Sequence, residues 1–137
     1  MRKLRKILLI DDDEINNFIN SKLLENLGIA ETVKVCKNGK EGLEYILKSC
    51  QPNELICPEF IILDNQMPVM DGLEFLENLN ESHFQNRQEV IILVLVANTR
   101  QEEIEHYKVL GVNEFSYKPL SKELIMEIYD KYWKKKQ

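Results

Sequence analysis

Four acidic residues and one lysine stand where apolar runs of this chain end. Asp11-Asp12-Asp13 follows Ile7–Ile10, Asp64 follows Phe60–Leu63, and Lys118 follows Glu114–Tyr117 and precedes Pro119. Each run reads as a strand. In a parallel α/β sheet these residues would share one carboxyl edge, where ligands of such sheets bind. Carboxylates crowded there repel unless a cation sits among them. Oxygen donors without His or Cys suit a hard ion, and Mg²⁺ typically takes one or two carboxylates and keeps several waters. Such a site gathers a phosphoryl group, and Lys118 adds positive charge for a phosphoryl oxygen. A carboxylate can then act as nucleophile and form an aspartyl phosphate. Asp64 is the expected nucleophile, on the middle strand with Asp12 on one side and Lys118 on the other. Each piece alone has a plainer reading. An Asp after a strand usually caps a helix, as Asp13 can, and a lone Lys is usually solvated. Their convergence on one edge favours chemistry.

The elements that must position them alternate strand and helix five times. The spacing predicts strands over Lys6–Ile10, Thr32–Cys36, Phe60–Leu63, Val90–Ala97 and Glu114–Tyr117. Three of these are apolar on both faces, as in a parallel sheet covered on both sides. Helices are predicted over Glu14–Leu27, Gly39–Ser49, Asp71–Asn80, Gln101–Leu110 and Ser121–Trp133. The first places Ile15, Phe18, Ile19, Leu23 and Leu27 on one apolar stripe and stops at Gly28. Gly111 stops the fourth helix, and Ser121 reads as the N-cap of the fifth. Five βα units imply a doubly wound α/β sandwich. The irregular stretches Cys50–Glu59 and Glu81–Glu89 read as internal loops.

A chain of 137 residues suits a single domain, 1–137. Its net charge of −5 would repel a phosphate backbone, so no nucleic acid is expected as partner. No apolar run approaches the ~20 residues of a membrane helix, so no membrane is expected either. The basic start Met1–Lys6 imitates a signal peptide, but its apolar run ends after Ile10, which points to a cytoplasmic protein. Cys36, Cys50 and Cys57 match no zinc spacing and read as small buried thiols. His83 and His106 are too scattered for a His-based site. The basic end Lys134–Lys136 reads as cations at a helix C-terminus.

The runs Ile7-Leu-Leu-Ile-Asp-Asp-Asp13, Ile62-Leu-Asp-Asn-Gln-Met-Pro68 with Met70-Asp-Gly72, and Tyr117-Lys-Pro119 resemble the receiver domain of two-component response regulators. The resemblance covers nearly the whole chain in the right order. It implies a five-stranded parallel sheet in the flavodoxin-like order 2-1-3-4-5 with helices on both faces. It implies phosphoryl transfer from the phosphohistidine of a sensor histidine kinase or phosphotransfer protein onto Asp64. Asp12 and Asp64 would ligate Mg²⁺ with the backbone carbonyl of Gln66, and Asp11 would support the ion, often through water. Lys118 would contact the phosphoryl group, ahead of a cis bond to Pro119. Asp71-Gly72 resembles the family's turn into its third helix. The chain would not be an enzyme beyond catalysing its own phosphorylation and dephosphorylation. Its output would pass by contact with a downstream protein.

One position departs from the family pattern. A Ser or Thr usually ends strand four before a small residue; here Val96 precedes Ala97. Val96 has the shape of Thr without its hydroxyl and cannot donate to a phosphoryl oxygen. Thr99 is nearby but out of register. Phe115 fills the aromatic switch position of strand five. The alternative is therefore an interaction module of the same fold that works without phosphorylation. An aspartyl-phosphate phosphatase would want a second acid where Gln66 stands. A flavin carrier would want Gly, Ser and Thr amides where Asp11–Glu14 stand.

Overall fold

The computed structural model describes residues 2–51, 57–84, 87–98 and 100–134. The chain alternates β1 (Leu4–Ile10), α1 (Glu14–Leu27), β2 (Ala30–Cys36), α2 (Gly39–Ser49), β3 (Phe60–Asp64), α3 (Gly72–Glu81), β4 (Ile91–Val96), α4 (Gln101–Val109), β5 (Glu114–Tyr117) and α5 (Lys122–Tyr132). The five strands form one parallel sheet in the order β2-β1-β3-β4-β5. Every predicted element is present, with ends displaced by at most two residues. Two extensions have a visible cause. β1 reaches back to Leu4, which is fully buried, pairs with Ala30 and donates its N–H to Ile29 O at 2.7 Å. β3 runs on through Asp64, which stays in register with Leu95.

Alternation along the central strands divides the core in two. Leu8, Ile10, Ile61, Leu63, Ile92, Val94 and Val96 face one side, where they meet Ile46, Phe75, Leu76, Leu79 and Tyr107 from α2, α3 and α4. Ile7, Leu9, Phe60, Ile62, Leu93 and Leu95 face the other, against Leu24 of α1 and Ile125, Ile128 and Tyr129 of α5. A strand buried on both faces must be apolar at every position, which is why β3 and β4 read as unbroken runs. The edge strands β2 and β5 carry mixed exposure and polar residues.

Caps fix where the helices begin. Asp13 accepts from the N–H groups of Ile15 and Asn16, Asn38 from Glu41, Asp71 from Glu74 and Ser121 from Leu124. Gly28 ends α1 in the left-handed conformation at φ 65°, which a glycine adopts without steric cost.

Two expectations are corrected. Ile15, Phe18 and Ile19 do not bury the stripe of α1: they are 72%, 65% and 56% exposed, and the buried residues of the helix are Asn17 and Leu24. The helix is rotated so that only Leu24, with Leu23 and Leu27 beside it, reaches the core. The cysteines are not all thiols: Cys50 and Cys57 form a disulfide, and Cys36 is the free, buried one. The end of α2 and the start of β3 bring the two Cα atoms to 4.5 Å, a proximity that sequence spacing does not reveal. Residues 52–56 of the loop read at Cys50–Glu59, residues 85–86 of the loop at Glu81–Glu89, Thr99, and Lys135 and Lys136 of the basic end lie outside the described residues.

Candidate functional site

The strand order reverses between β1 and β3, and the crevice at such a switch point is where ligands of open α/β sheets bind. Asp11 and Asp12 follow β1 there, and Asp64 is the last residue of β3. One carboxylate oxygen from each of the three lies within 4.8 Å of the others. Asp11 and Asp64 are 8% and 5% exposed, while Asp12 faces solvent. From the far side Lys118, just past β5, brings its Nζ to 2.7 Å from Asp64 Oδ1. The Lys118 N–H donates to Val96 O at 2.7 Å, which fixes its backbone, and its peptide bond to Pro119 is cis.

The charges of this cluster govern its titration. Burial, reinforced by the charge of Asp64 and a hydrogen bond to it, raises the Asp11 carboxyl to about 6, against the pull of the Asp13 N–H and of Lys118. Burial disfavours the Lys118 ammonium, yet Asp64, Asp11 and Asp12 outweigh it and hold Lys118 above the ordinary lysine range. Asp64 Oδ1 is buried, and Lys118 meets it as an ion pair without a well-directed hydrogen bond. An oxygen-only, acid-rich cluster with an incompletely satisfied buried oxygen fits a hard divalent cation such as Mg²⁺.

Further polar contacts surround the acids. Asp11 Oδ1 accepts from the Asp13 N–H at 3.0 Å. Asn17 donates from Nδ2 to Asp11 O at 2.8 Å, and its Oδ1 is buried without a hydrogen-bond partner. Asn65, immediately after Asp64, accepts from the hydroxyl of Tyr107. Sequence reasoning assigned roles to neither Asn17 nor Asn65, because both depend on helices folding back over the strand ends. Gln66 lies in the exposed loop two residues past Asp64. Val96 is fully buried, Ala97 and Asn98 are exposed, and Phe115 is half-buried against the α2–α3–α4 side of the core. His106 lies 3.5 Å from Glu77 on the surface and is not part of the acidic cluster found among the described residues.

Comparison with known proteins agrees with this architecture. The family model described as the response regulator receiver domain matches residues 7–130. A two-component response regulator of Oryza sativa subsp. japonica is 27% identical over 131 residues, covering 96% of each chain. Hybrid signal transduction histidine kinase B of Dictyostelium discoideum is 30% identical across 95% of this chain, which spans only 7% of that much longer kinase. Among solved structures, Vibrio cholerae chemotaxis protein CheY4 matches with TM-score 0.76 at 25% identity, over 94% of this chain and 98% of its own. The receiver domain of a Pseudomonas aeruginosa PAO1 sensor histidine kinase, with a magnesium ion coordinated in its active-site cleft, matches with TM-score 0.76 at 23% identity, over 93% of this chain and 96% of its own. The match runs unbroken from β1 into α5 and takes in every strand end that carries an acid or Lys118, so this chain belongs to the response regulator receiver domain family of two-component signalling.

Proposed function

We propose that this chain accepts a phosphoryl group on Asp64 from the phosphohistidine of a sensor histidine kinase or phosphotransfer protein. The observation that carries this is the placement of Asp64: 5% exposed, at the end of the central strand, 2.7 Å from Lys118 and grouped with Asp11 and Asp12. An Asp64 carboxylate oxygen attacks phosphorus, the P–N bond to the donor histidine breaks, and its electron pair returns to the imidazole. Lys118 faces the phosphoryl oxygens and offsets their charge. Asp12, Asp64 and the Gln66 carbonyl would hold Mg²⁺ with support from Asp11. Bound there, the ion neutralises charge on the transferring group. The exposed Ile15, Phe18 and Ile19 of α1, which begins two residues past Asp12, provide an apolar rim for the donor protein.

Incubation with a small phosphodonor and Mg²⁺, followed by intact mass, tests the assignment. One phosphoryl group is expected on the natural chain and none on Asp64→Ala; equal uptake by both overturns it. A second reading is favoured by Val96, whose buried side chain offers no hydroxyl. In that reading the fold serves as an interaction module that works without phosphorylation, and absence of uptake would select it.

A further inference from the structure

Tyr107 heads the largest fully buried side chains of the described residues, and it is the only buried residue of α4. That helix has no side-chain hydrogen bond at its N-cap, Arg100, so Tyr107 is its main anchor in the core. The ring belongs to the cluster that contains Val94 and Val96, and its centroid lies 5.9 Å from that of Phe115 on β5. The hydroxyl donates to Asn65 Oδ1. Gly72 makes room for it, since a Cβ there would lie 2.6 Å from the hydroxyl oxygen.

Asn65 is therefore joined to four elements. It follows Asp64 directly, its N–H donates to Leu95 O on β4 at 3.1 Å, its carbonyl accepts from the Gly72 N–H of α3 at 3.1 Å, and its side chain holds α4. Burial, with the nearby charges of Asp71, Glu103 and Asp64, raises the Tyr107 hydroxyl above the usual tyrosine range, so it stays a neutral donor. Val96, in the same cluster, has no hydroxyl with which to report on Asp64. Tyr107 supplies one, attached to the residue next to the acid.

We propose that Tyr107 is the positioning residue that couples the Asp64 site to the α4–β5 surface, through its hydrogen bond to Asn65 and its packing on Phe115. This rests on the reading of Asp64 as phosphoacceptor. Charge added at Asp64 displaces the Asp64–Asn65 peptide. The Asn65 side chain then carries the hydroxyl with it or releases it, and either outcome shifts the anchor of α4 and the ring beside Phe115.

The test uses the isotope-labelled full chain with Mg²⁺ and beryllofluoride as phosphoryl mimic, read by backbone amide shifts. The natural chain should respond near the site, at Asp12 and Gly72, and far from it, at Phe115 and along α4. Tyr107→Phe keeps the ring and removes only the hydroxyl. The near shifts should persist while the far shifts fall at least threefold. Asn65→Ala, which removes the acceptor instead, should give the same separation, and combining the two should add little. A far response undiminished in either folded variant overturns the coupling, whatever happens to the melting temperature, because a merely structural role would change stability and leave the response intact. No response anywhere in the natural chain, or an equal response in Asp64→Ala, overturns the phosphoacceptor reading and the coupling with it.

Discussion

Asp11 takes its charge state from its neighbours rather than from its own chemistry. Its carboxyl is raised to about 6 from 3.8, first by burial and then by Asp64. A carboxyl raised on folding favours the folded protein below about pH 3.8, and that contribution is lost as pH rises through about 6. Mg²⁺ held by this cluster, as proposed, would compete with the same proton. Mg²⁺ affinity should therefore be about tenfold lower at pH 5 than at pH 7.5, as expected when a group near pH 6 must ionise first. Titration calorimetry at the two pH values checks this, and Asp11→Asn should bind more weakly but with little pH dependence in that window. Lys118 gives a complementary case. Its side chain is 30% exposed and its ammonium pairs with Asp64. A charge-assisted hydrogen bond from Lys118 to a phosphoryl oxygen would contribute about 1.5–3 kcal/mol, so Lys118→Ala should slow phosphorylation by a small donor at least tenfold. Its thermal unfolding should stay cooperative; a variant that fails to fold would make Lys118 structural.

At the scale of elements, the loop from β3 into α3 is tightly constrained. Gly72 stands where a Cβ would lie 2.6 Å from the Tyr107 hydroxyl and 3.1 Å from the Asp64 carbonyl oxygen. Gly72→Ala must move the Asp64 backbone or eject the tyrosine, and its cost should exceed the ~1 kcal/mol of a typical point substitution. Val69 presents the opposite case. It is 73% exposed and adopts φ 71°, a left-handed conformation that a β-branched residue reaches only with strain. Val69→Asn loses little packing and should raise the unfolding free energy by about 1 kcal/mol in denaturant titrations. The face that α1 turns outward makes a separate prediction. Phe18→Ser should change stability by less than ~0.5 kcal/mol, since the ring is exposed. Phosphorylation by a small donor should be unaffected, while transfer from a phosphohistidine protein should slow. Equal rates from the protein donor would remove α1 from the docking surface.

For the whole molecule, the question is how charge at one edge reaches the rest of the fold. Val96 is fully buried, in the core cluster that also holds Val94, Phe75, Leu76 and Tyr107. A Thr there fits the volume but buries a hydroxyl. Val96→Thr should cost about 1–3 kcal/mol in the unphosphorylated protein unless the hydroxyl finds a partner. With the phosphoryl mimic bound it should recover part of that loss and enlarge the amide response at Phe115. A hydrogen bond to a charged group contributes about 1.5–3 kcal/mol, whereas a nearly complete population shift takes about 5.5 kcal/mol. One bond should thus strengthen the switch without completing it.

Strand content and the acidic edge were legible in the sequence for a physical reason, whereas the strand order came from the resemblance to the receiver family. Strands buried on both faces must be continuously apolar, so Ile7–Ile10, Phe60–Leu63 and Val90–Val96 announce themselves, and the polar residues that follow them must lie at the sheet edge. The caps at Asp13 and Ser121 were legible because they act within one turn. What the tertiary structure alone decided depends on how the elements pack against one another. The outward face of α1 was not legible because an apolar stripe predicts a helix, whereas the helix's rotation on the sheet decides what it buries. Cys50 and Cys57 pair because the end of α2 meets the start of β3. Tyr107 reads as one more core residue of an amphipathic helix; only the folded chain sets its hydroxyl against Asn65, 42 residues earlier. Periodicity records whether a side chain is buried, and a hydrogen bond between distant elements leaves no periodic trace.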